Sequence, residues 1–184
     1  MIKVVTPTDI YFPNKSDEYF WNNENDEHVI KIFLAGTIDN GDSENWQNKL
    51  IDTLLFFNAD NRDLGEDLSL GNLIIYNPRR EYWHADILDE ELEKQIKWEQ
   101  DHLDTSDIIV MYLADNSKSP VSLLELGLYG PQGKMIVFCT NKFYRYMNVK
   151  LTCDKYYIPM CCTNNIDNVC SVIADTYDML KEIV

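Results

Sequence analysis

Short runs of consecutive apolar residues recur along the chain and alternate with longer segments in which apolar residues return once per helical turn. The continuous runs occupy residues 30–36, 73–76, 107–113 and 134–139, with a shorter run at 156–158. Apolar runs of this length are typical of strands that are buried on both faces of a parallel sheet. We therefore predict five strands at these positions.

The first segment with helical spacing begins after the first strand. Trp46, Leu50 and Leu54 repeat at intervals of one helical turn, so they would share one face of a helix. This pattern predicts a helix over residues 43–58. The residues that follow, 58–72, are polar and contain glycine, and we predict a long surface loop there.

Three further helices complete the pattern. Apolar spacing predicts helices over residues 89–105 and 166–183. Between them, Ser119 and Pro120 are typical of a helix start, with serine at the N-cap and proline at the first helical position, and this helix runs to Gly130. Strands that alternate with helices in this way indicate an α/β domain with a mostly parallel five-stranded sheet.

Residues 1–28 precede this alternating pattern, and we interpret them as an N-terminal extension of a domain that spans residues 29–184. The apolar start of the extension, residues 2–12, is compatible with an additional edge strand. Its second half, residues 14–27, is rich in Asn, Asp and Glu and is typical of a loop or linker. The sequence thus predicts one domain with a short appendage.

The charge and the cysteine content of the chain limit the classes of molecule that it is expected to bind. The chain has 31 acidic and 16 basic residues among 184, which gives a formal net charge of −15. Such a surface repels phosphate backbones and anionic lipid headgroups, so we expect neither a nucleic-acid polymer nor a membrane as partner. No run reaches the ~18–20 apolar residues of a transmembrane helix. The five cysteines lack the spacing of a zinc site, and we interpret them as reduced thiols of a cytoplasmic protein.

In a parallel α/β sheet, functional side chains lie beyond the carboxyl ends of the strands. Candidates follow three of the predicted strands: Gly36 and Asp39 after the first, Asn77, Arg79 and Arg80 after the second, and Ser119 and Ser122 after the third. The two arginines either bind an anion or are solvated and ion-paired. Ser119 either caps the helix or, together with the free amides of the helix start, binds a sugar hydroxyl or a phosphate.

Two glutamates interrupt apolar helix faces. Glu99 falls in the stripe of Leu92, Ile96 and Leu103, and Glu125 falls beside the apolar stripe of the next helix. An ionised carboxylate at such a position is costly unless something compensates it. A close pair of carboxylates can divide nucleophilic and acid/base work at a glycosidic carbon in a two-step, retaining displacement. Alternatively, each glutamate reaches solvent at the edge of its helix or forms a salt bridge there.

Two tryptophans, Trp83 and Trp98, either stack on a nucleobase or pack inside the protein. The chain lacks the G-x-G-x-x-G fingerprint of dinucleotide sites, the phosphate-binding loop of ATP sites and the G-x-S-x-G nucleophile elbow. We therefore expect no nucleotide cofactor.

Several of these segments, in this order and spacing, resemble the nucleoside 2-deoxyribosyltransferase-like family over residues 30–150. They are Phe33-Leu34-Ala35-Gly36, Asn77-Pro78-Arg79-Arg80 with Trp83, Trp98-Glu99, and Ser119-Pro120 leading into Leu124-Glu125-Leu126-Gly127. The resemblance implies a flavodoxin-like (Rossmann-like) three-layer sandwich, usually a homo-oligomer. It also implies cleavage and re-formation of the N-glycosidic bond of 2′-deoxynucleosides, with a nucleoside or nucleotide and a free nucleobase as ligands and without cofactor or metal.

The resemblance also implies roles for the two glutamates. Glu125 stands where the family has its nucleophile, which forms a covalent deoxyribosyl intermediate at C1′. Glu99 stands where the family has an acidic residue that contacts the nucleobase and handles its proton.

Two residues depart from the family pattern. Phe33 stands where several transferases have a tyrosine beside the nucleophile, and Ser119 stands where an acidic residue often holds the sugar hydroxyls. A serine tolerates a 5′-phosphate better than a carboxylate does, so an N-glycoside hydrolase of (deoxy)nucleoside 5′-monophosphates stays open as an alternative. An NAD glycohydrolase or cyclase and a non-catalytic nucleotide-binding protein stay open as well.

Overall fold

The structure is a computed structural model that describes residues 2–7, 29–64, 73–80 and 88–181. Strands and helices alternate along these residues. The strands are β1 (Ile2–Val5), β2 (Ile30–Gly36), β3 (Leu73–Tyr76), β4 (Ile108–Leu113), β5 (Met135–Cys139) and β6 (Met160–Cys161). The α-helices are α1 (Trp46–Leu64), α2 (Asp89–Thr105), α3 (Pro120–Tyr129), α4 (Tyr146–Tyr156) and α5 (Ile166–Lys181).

The strands that the structure describes form one sheet in the order β1-β3-β2-β4-β5-β6, and every neighbouring pair is parallel. The flavodoxin-like α/β class is therefore confirmed, although the sheet has six strands rather than the five that we predicted. β1 accounts for the difference, because it pairs with β3 at the edge, as the apolar start of the chain indicated. Residues 8–28 of the extension lie outside the described residues.

Helices cover both faces of the sheet. α1 and α5 cover one face, where Trp46 and Val169 belong to the same buried cluster as Leu34 of β2. α2, α3 and α4 cover the other face, where Trp98 belongs to a cluster with Phe33. Phe33 and Leu34 reach opposite clusters because successive side chains of a strand point to opposite faces. None of the helices in the described part of the chain combines the length and the hydrophobicity of a membrane span.

The last strand lies further along the chain than predicted, at Met160–Cys161. The residues that we predicted as a strand, 156–158, end α4 instead, and Tyr157 follows the helix in the left-handed conformation with φ 56°. α4 itself was not predicted. Val149 and Cys153, one turn apart, are buried against the sheet and hold this segment as a helix. Aromatic residues favour strands only weakly, and this packing overrides the preference.

The first helix is longer than predicted, because α1 extends to Leu64 and includes part of the segment 58–72 that we predicted as a loop. A polar composition does not distinguish a solvated turn of helix from a loop, which explains the error. Residues 65–72 lie outside the described part of the chain.

The helix α2 occupies the predicted residues but turns a different face to the sheet. Leu92 and Ile96, which we predicted to be buried, are 41% and 43% exposed. The buried side chains are Gln95, Trp98 and Leu103. Burying the large Trp98 ring removes more apolar surface from water than burying Ile96 would, so the tryptophan decides the orientation of the helix.

The strand order creates a crevice beside β2. From β2 the chain continues to β3 on one side and later returns to β4 on the other side. The loops that follow β2 and β4 therefore leave the sheet in opposite directions at its carboxyl edge. Ligands of open α/β sheets bind at such a point.

Candidate active site

The crevice begins at Gly36, the last residue of β2. Its φ is +131°, a conformation that residues with a side chain rarely adopt, and a Cβ atom there would lie 2.1 Å from the carbonyl oxygen of Tyr112. Only glycine lets β2 approach the end of β4 this closely. The close approach brings the backbone N–H of Thr37 within 2.9 Å of the same carbonyl oxygen. Gly36 therefore positions the loop that carries the polar residues of the site.

A cluster of hydroxyl groups joins the loops after β2 and β4. The hydroxyl of Ser119 lies 2.7 Å from that of Thr37 and 2.7 Å from that of Ser117. Ser117 donates a further hydrogen bond to Oδ1 of Asp39 at 2.8 Å, and the N–H of Ala114 donates to Thr37 at 2.9 Å. We call Thr37, Ser117, Ser119 and Asp39 the hydroxyl cluster.

The role of Ser119 at the start of α3 differs from simple capping. Ser119 occupies the N-cap position, but its side chain makes no capping hydrogen bond and its backbone is left-handed, with φ 43°. The expectation that its hydroxyl caps the helix was therefore wrong, because the hydroxyl is used within the cluster. The first-turn N–H groups, including that of the buried Ser122, have no side-chain cap and face the crevice end of the helix.

Arg79 holds the loop after β2 in place through hydrogen bonds. Its terminal nitrogens donate to the carbonyl oxygens of Gly41 (2.9 Å), Ser43 (2.6 Å) and Glu44 (3.2 Å). The N–H of Arg79 in turn donates to Oδ1 of the buried Asn77 at 3.0 Å. Both residues therefore fix the loop that carries Asp39, and the guanidinium of Arg79 is bound to that loop in this structure.

The neighbouring arginine, Arg80, lies near Glu99 of α2 rather than near the hydroxyl cluster. It donates to the carbonyl oxygen of Glu91 at 3.3 Å. Burial raises the pKa of Glu99, and the charge of Arg80 opposes that rise. Arg80 is thus a cation beside one of the two candidate carboxyl groups.

The aromatic candidates lie beneath the site rather than in it. Phe33 is fully buried, and Trp98 is 9% exposed. The Trp98 ring centroid lies 6.2 Å from that of Phe33, 6.3 Å from Tyr76 and 4.3 Å from His102. Of the two alternatives for Trp98, these contacts favour packing over stacking on a base. Trp83 lies outside the described residues.

Glu125 of α3 and Glu99 of α2 form an electrostatically coupled pair. Burial and the charge of Glu99 raise the pKa of Glu125 to about 8. Burial also raises the pKa of Glu99, but a hydrogen bond from Gln95 and the charge of Arg80 oppose that effect. Among the described residues, Gln95 and Arg80 compensate the charge of Glu99 and no group compensates that of Glu125, so a single proton on the pair resides on Glu125 near neutral pH.

The sequence analysis missed Thr37 and Ser117 of the hydroxyl cluster, and it also missed Gln95 beside the carboxyl pair. Its side chain is buried on α2, one turn before Glu99, and its Nε2 donates to Oε1 of Glu99 at 2.7 Å. The i, i+4 spacing of Gln95 and Glu99 could have indicated this pair. The misassigned face of α2 concealed it, because our predicted stripe ran through Ile96 rather than through Gln95.

The fold therefore gathers the candidates into two groups. The hydroxyl cluster lies at the carboxyl edge of the sheet, at the start of α3, and the carboxyl pair lies further along α2 and α3. Glu125 follows Ser119 by six residues, which is roughly 9 Å along the axis of a helix. The protein is therefore a flavodoxin-like α/β protein whose sheet is parallel. It has a polar crevice at the carboxyl edge of the sheet and two coupled carboxyl groups on adjacent helices.

Comparison with known families specifies that class. A family model described as nucleoside 2-deoxyribosyltransferase like matches residues 29–143, which is well over half of the chain. The chain belongs to this family. The matched residues include both glutamates and the hydroxyl cluster. A search of curated proteins finds no match.

Proposed function

We propose that this protein is a nucleoside 2-deoxyribosyltransferase in which Glu125 is the nucleophile and Glu99 handles the proton of the nucleobase. The observation that carries the proposal is the coupled pair of half-buried carboxyl groups, of which the part of the chain that the structure describes compensates Glu99 but not Glu125. Unequal carboxyl groups are what a retaining displacement at a glycosidic carbon needs, because one must attack while the other supplies a proton. Membership of the family supports the same chemistry.

The reaction begins with one proton on the pair. Glu125 passes this proton to Glu99, and the carboxylate of Glu125 then attacks C1′ of the sugar. As the new C1′–O bond forms, the C1′–N bond breaks, and the departing base takes the proton from Glu99. An acceptor base enters with its N–H, returns a proton to Glu99 and attacks C1′, which releases Glu125. Every proton that leaves one group arrives on another, so the exchange needs no further reagent.

The hydroxyl cluster supports binding of the sugar at the other end of the site. Asp39 and the serine hydroxyls offer acceptors and donors for sugar hydroxyl groups, and the uncapped start of α3 adds backbone N–H donors. The carboxylate of Asp39 beside this helix start would repel a phosphate. We therefore propose nucleosides, rather than nucleotides, as the preferred donors.

Exposed apolar side chains on one layer of the molecule support assembly with a second copy of this chain. They lie on or directly before α2, α3 and α4, the helices that carry or flank the carboxyl pair: Leu88, Leu92, Ile96, Val121, Leu124, Leu128, Met147 and Leu151. Apolar surface of this kind marks interfaces between proteins. A partner over these helices would keep water from the intermediate and so favour transfer over hydrolysis.

The proposal is tested by incubating the protein with deoxyadenosine, deoxycytidine or deoxyuridine and a second free base, and following products by chromatography. We expect a new deoxynucleoside that carries the second base. Glu125→Gln is expected to lower the rate by at least about 1,000-fold while the protein stays folded. Glu90→Gln changes an exposed glutamate at the start of α2 and is the matched control. Full activity of Glu125→Gln would contradict the assignment of the nucleophile.

An N-glycoside hydrolase of 5′-monophosphates is the second candidate. Ser119 and Ser122 at the uncapped start of α3 favour it, since hydroxyl and N–H donors at a helix start can hold a phosphate. Parallel reactions with the 5′-monophosphates distinguish the two: free base and sugar phosphate without exchange would indicate the hydrolase. No product in any reaction would point to a nucleotide-binding protein, and nicotinamide release from NAD to a glycohydrolase. We place each of these activities in the cytoplasm, in keeping with the free thiols of the described residues.

A further inference from the structure

The side chain of Gln95 joins α2 to the segment that follows β3. It is 4% exposed, and its Nε2 donates to two oxygens: the carbonyl oxygen of Pro78 at 3.4 Å and Oε1 of Glu99 at 2.7 Å. The first contact anchors the amide to the Asn77–Arg80 segment, which also carries the cation beside Glu99. The second reaches the carboxyl group that is coupled to Glu125.

These two acceptors fix the direction of the amide. The Nε2 atom faces two oxygens, and the reverse orientation would set the amide oxygen against the Pro78 carbonyl. In the orientation observed, Oε1 of Gln95 is fully buried and no group among the described residues donates to it. An unsatisfied buried carbonyl costs about 1–3 kcal/mol of folding free energy. Gln95 is therefore a poor choice for stability at this position.

We propose that Gln95 is a positioning residue, which orients the carboxylate of Glu99 toward the site and keeps the negative charge of the carboxyl pair on Glu99. The inference rests on the proposed function, because it assigns Gln95 a part in the proton transfer of that reaction. Glu99 can accept the proton of Glu125 only while it is ionised, and the hydrogen bond from Gln95 stabilises this form.

The other groups that act on the pair are compatible with this role. Arg80 acts on Glu99 from the segment after β3 and favours its charge, whereas burial on α2 opposes it. On α3, the charge of Glu125 also acts on Tyr129, whose pKa it helps to raise. Among the described residues that act on the carboxyl pair, Gln95 is the uncharged hydrogen-bond donor. Replacing it by an apolar residue therefore changes the ionisation of the pair without adding or removing a charged side chain.

The experiment compares Gln95→Met with the unaltered protein. Methionine fills a similar volume but removes both the donor and the unsatisfied oxygen. We expect the pKa of Glu99 to rise by about one unit, because a hydrogen bond to a charged group is lost. The acidic limb of the kcat/KM profile, which reports protonation of the last carboxylate of the pair, is expected to move up by about one pH unit. The melting temperature is expected to stay the same or to rise.

A second readout does not depend on turnover. Carbon-13 NMR titration of the glutamate side chains, assigned with Glu99→Gln and Glu125→Gln, measures both carboxyl groups directly. Gln95→Glu serves as a second, nearly isosteric variant, and its added carboxyl should raise the pKa of Glu99 at least as far. Gln100→Met is the matched control: Gln100 is exposed on the same helix, next to Glu99 in the chain, and the change should alter neither readout.

The outcomes separate this inference from the proposed function. An unchanged Glu99 titration in both Gln95 variants would overturn the inference, whatever the activity. A uniform loss of rate at every pH together with a lower melting temperature would also overturn it, because that result indicates a purely structural role. Absence of turnover in the unaltered protein, combined with a shifted Glu99 titration in Gln95→Met, would contradict the proposed function alone.

Discussion

The hydroxyl of Ser119 lies 2.7 Å from the hydroxyl of Thr37, although 82 positions separate the two residues in the chain. The contact ties the loop after β2 to the first residue before α3. Ser119 holds a left-handed backbone there, which is unfavourable for a residue with a side chain. The hydrogen bonds of the hydroxyl cluster offset this cost, so the crevice depends on side-chain contacts that the sheet does not supply.

Replacing Thr37 by valine tests this dependence. Thr37→Val keeps the shape of the side chain but removes the partner of Ser119 and of the Ala114 N–H. We expect a loss of about 1–2 kcal/mol in the free energy of unfolding, measured with denaturant, because buried groups lose their hydrogen bonds. We also expect KM to rise several-fold with a smaller change in kcat, because the sugar-binding end of the site loosens.

Thr105→Val is the control for that experiment. Thr105 is exposed at the end of α2, and its hydroxyl donates only to a carbonyl oxygen of its own helix, that of Asp101. Equal effects of the two substitutions would mean that the hydroxyl cluster has no special part in the fold or in substrate binding.

The stability of the protein should depend on pH through Glu125. The folded protein keeps the proton of this group up to a pKa of about 8, whereas the unfolded chain releases it near 4.5, the ordinary pKa of a glutamate. Between these values the folded state binds more protons than the unfolded state, so stability falls as pH rises. Glu125→Gln removes this dependence. We expect it to stabilise the protein by about 1–3 kcal/mol at pH 8.5 and to have little effect near pH 4.

Denaturant unfolding over a series of pH values measures this difference, with Glu90→Gln as the control. Glu90→Gln removes one exposed acidic group at the start of α2. A destabilisation by Glu125→Gln at high pH would show that the ionised carboxylate is compensated in solution, contrary to the raised pKa.

Alanine substitutions at two glycines should have opposite effects on the stability of the protein. Gly36→Ala places a Cβ atom against the backbone of Tyr112 at a φ of +131°, and we expect a loss of about 3 kcal/mol or more. Gly127 lies within α3 with nothing within 4 Å of an added Cβ. Gly127→Ala should therefore raise stability by about 0.5–1 kcal/mol. Thermal unfolding of both variants tests the pair, and similar behaviour of the two would contradict the close approach of β2 and β4.

The elements were largely predictable because their signals are local. Buried parallel strands such as β2 and β4 are continuous apolar runs, and Ser119-Pro120 marks the start of α3 by its sequence alone. The errors arose where local pattern and packing disagree. The aromatic run at the end of α4 resembled a strand, and α2 turned its Trp98 face inward rather than the Leu92 and Ile96 face.

Candidate residues could be chosen from the sequence, but their contacts could not be predicted from it. Glu99 and Glu125 stood out as charges on apolar helices. Gln95 was signalled only by its i, i+4 spacing to Glu99, and nothing in the sequence indicated that Thr37 would meet Ser119. Arg79 was a candidate for anion binding, and only the structure ties its guanidinium to the loop of Asp39. The hydrogen-bond partner of a side chain often lies far away in the chain, and the local pattern of apolar and polar residues does not predict such contacts.

The sequence by itself determined the α/β class, most of the alternating strands and helices, the family resemblance and the two candidate glutamates, because hydrophobic periodicity and short motifs are properties of neighbouring residues. The tertiary structure decided the order of the strands within the sheet, which opens the crevice beside β2. It determined which face of α2 is buried. It also decided the unequal surroundings of Glu99 and Glu125. Burial and electrostatic compensation arise only when α2, α3 and the segment after β3 pack together, so the charges of the pair are a property of the folded chain.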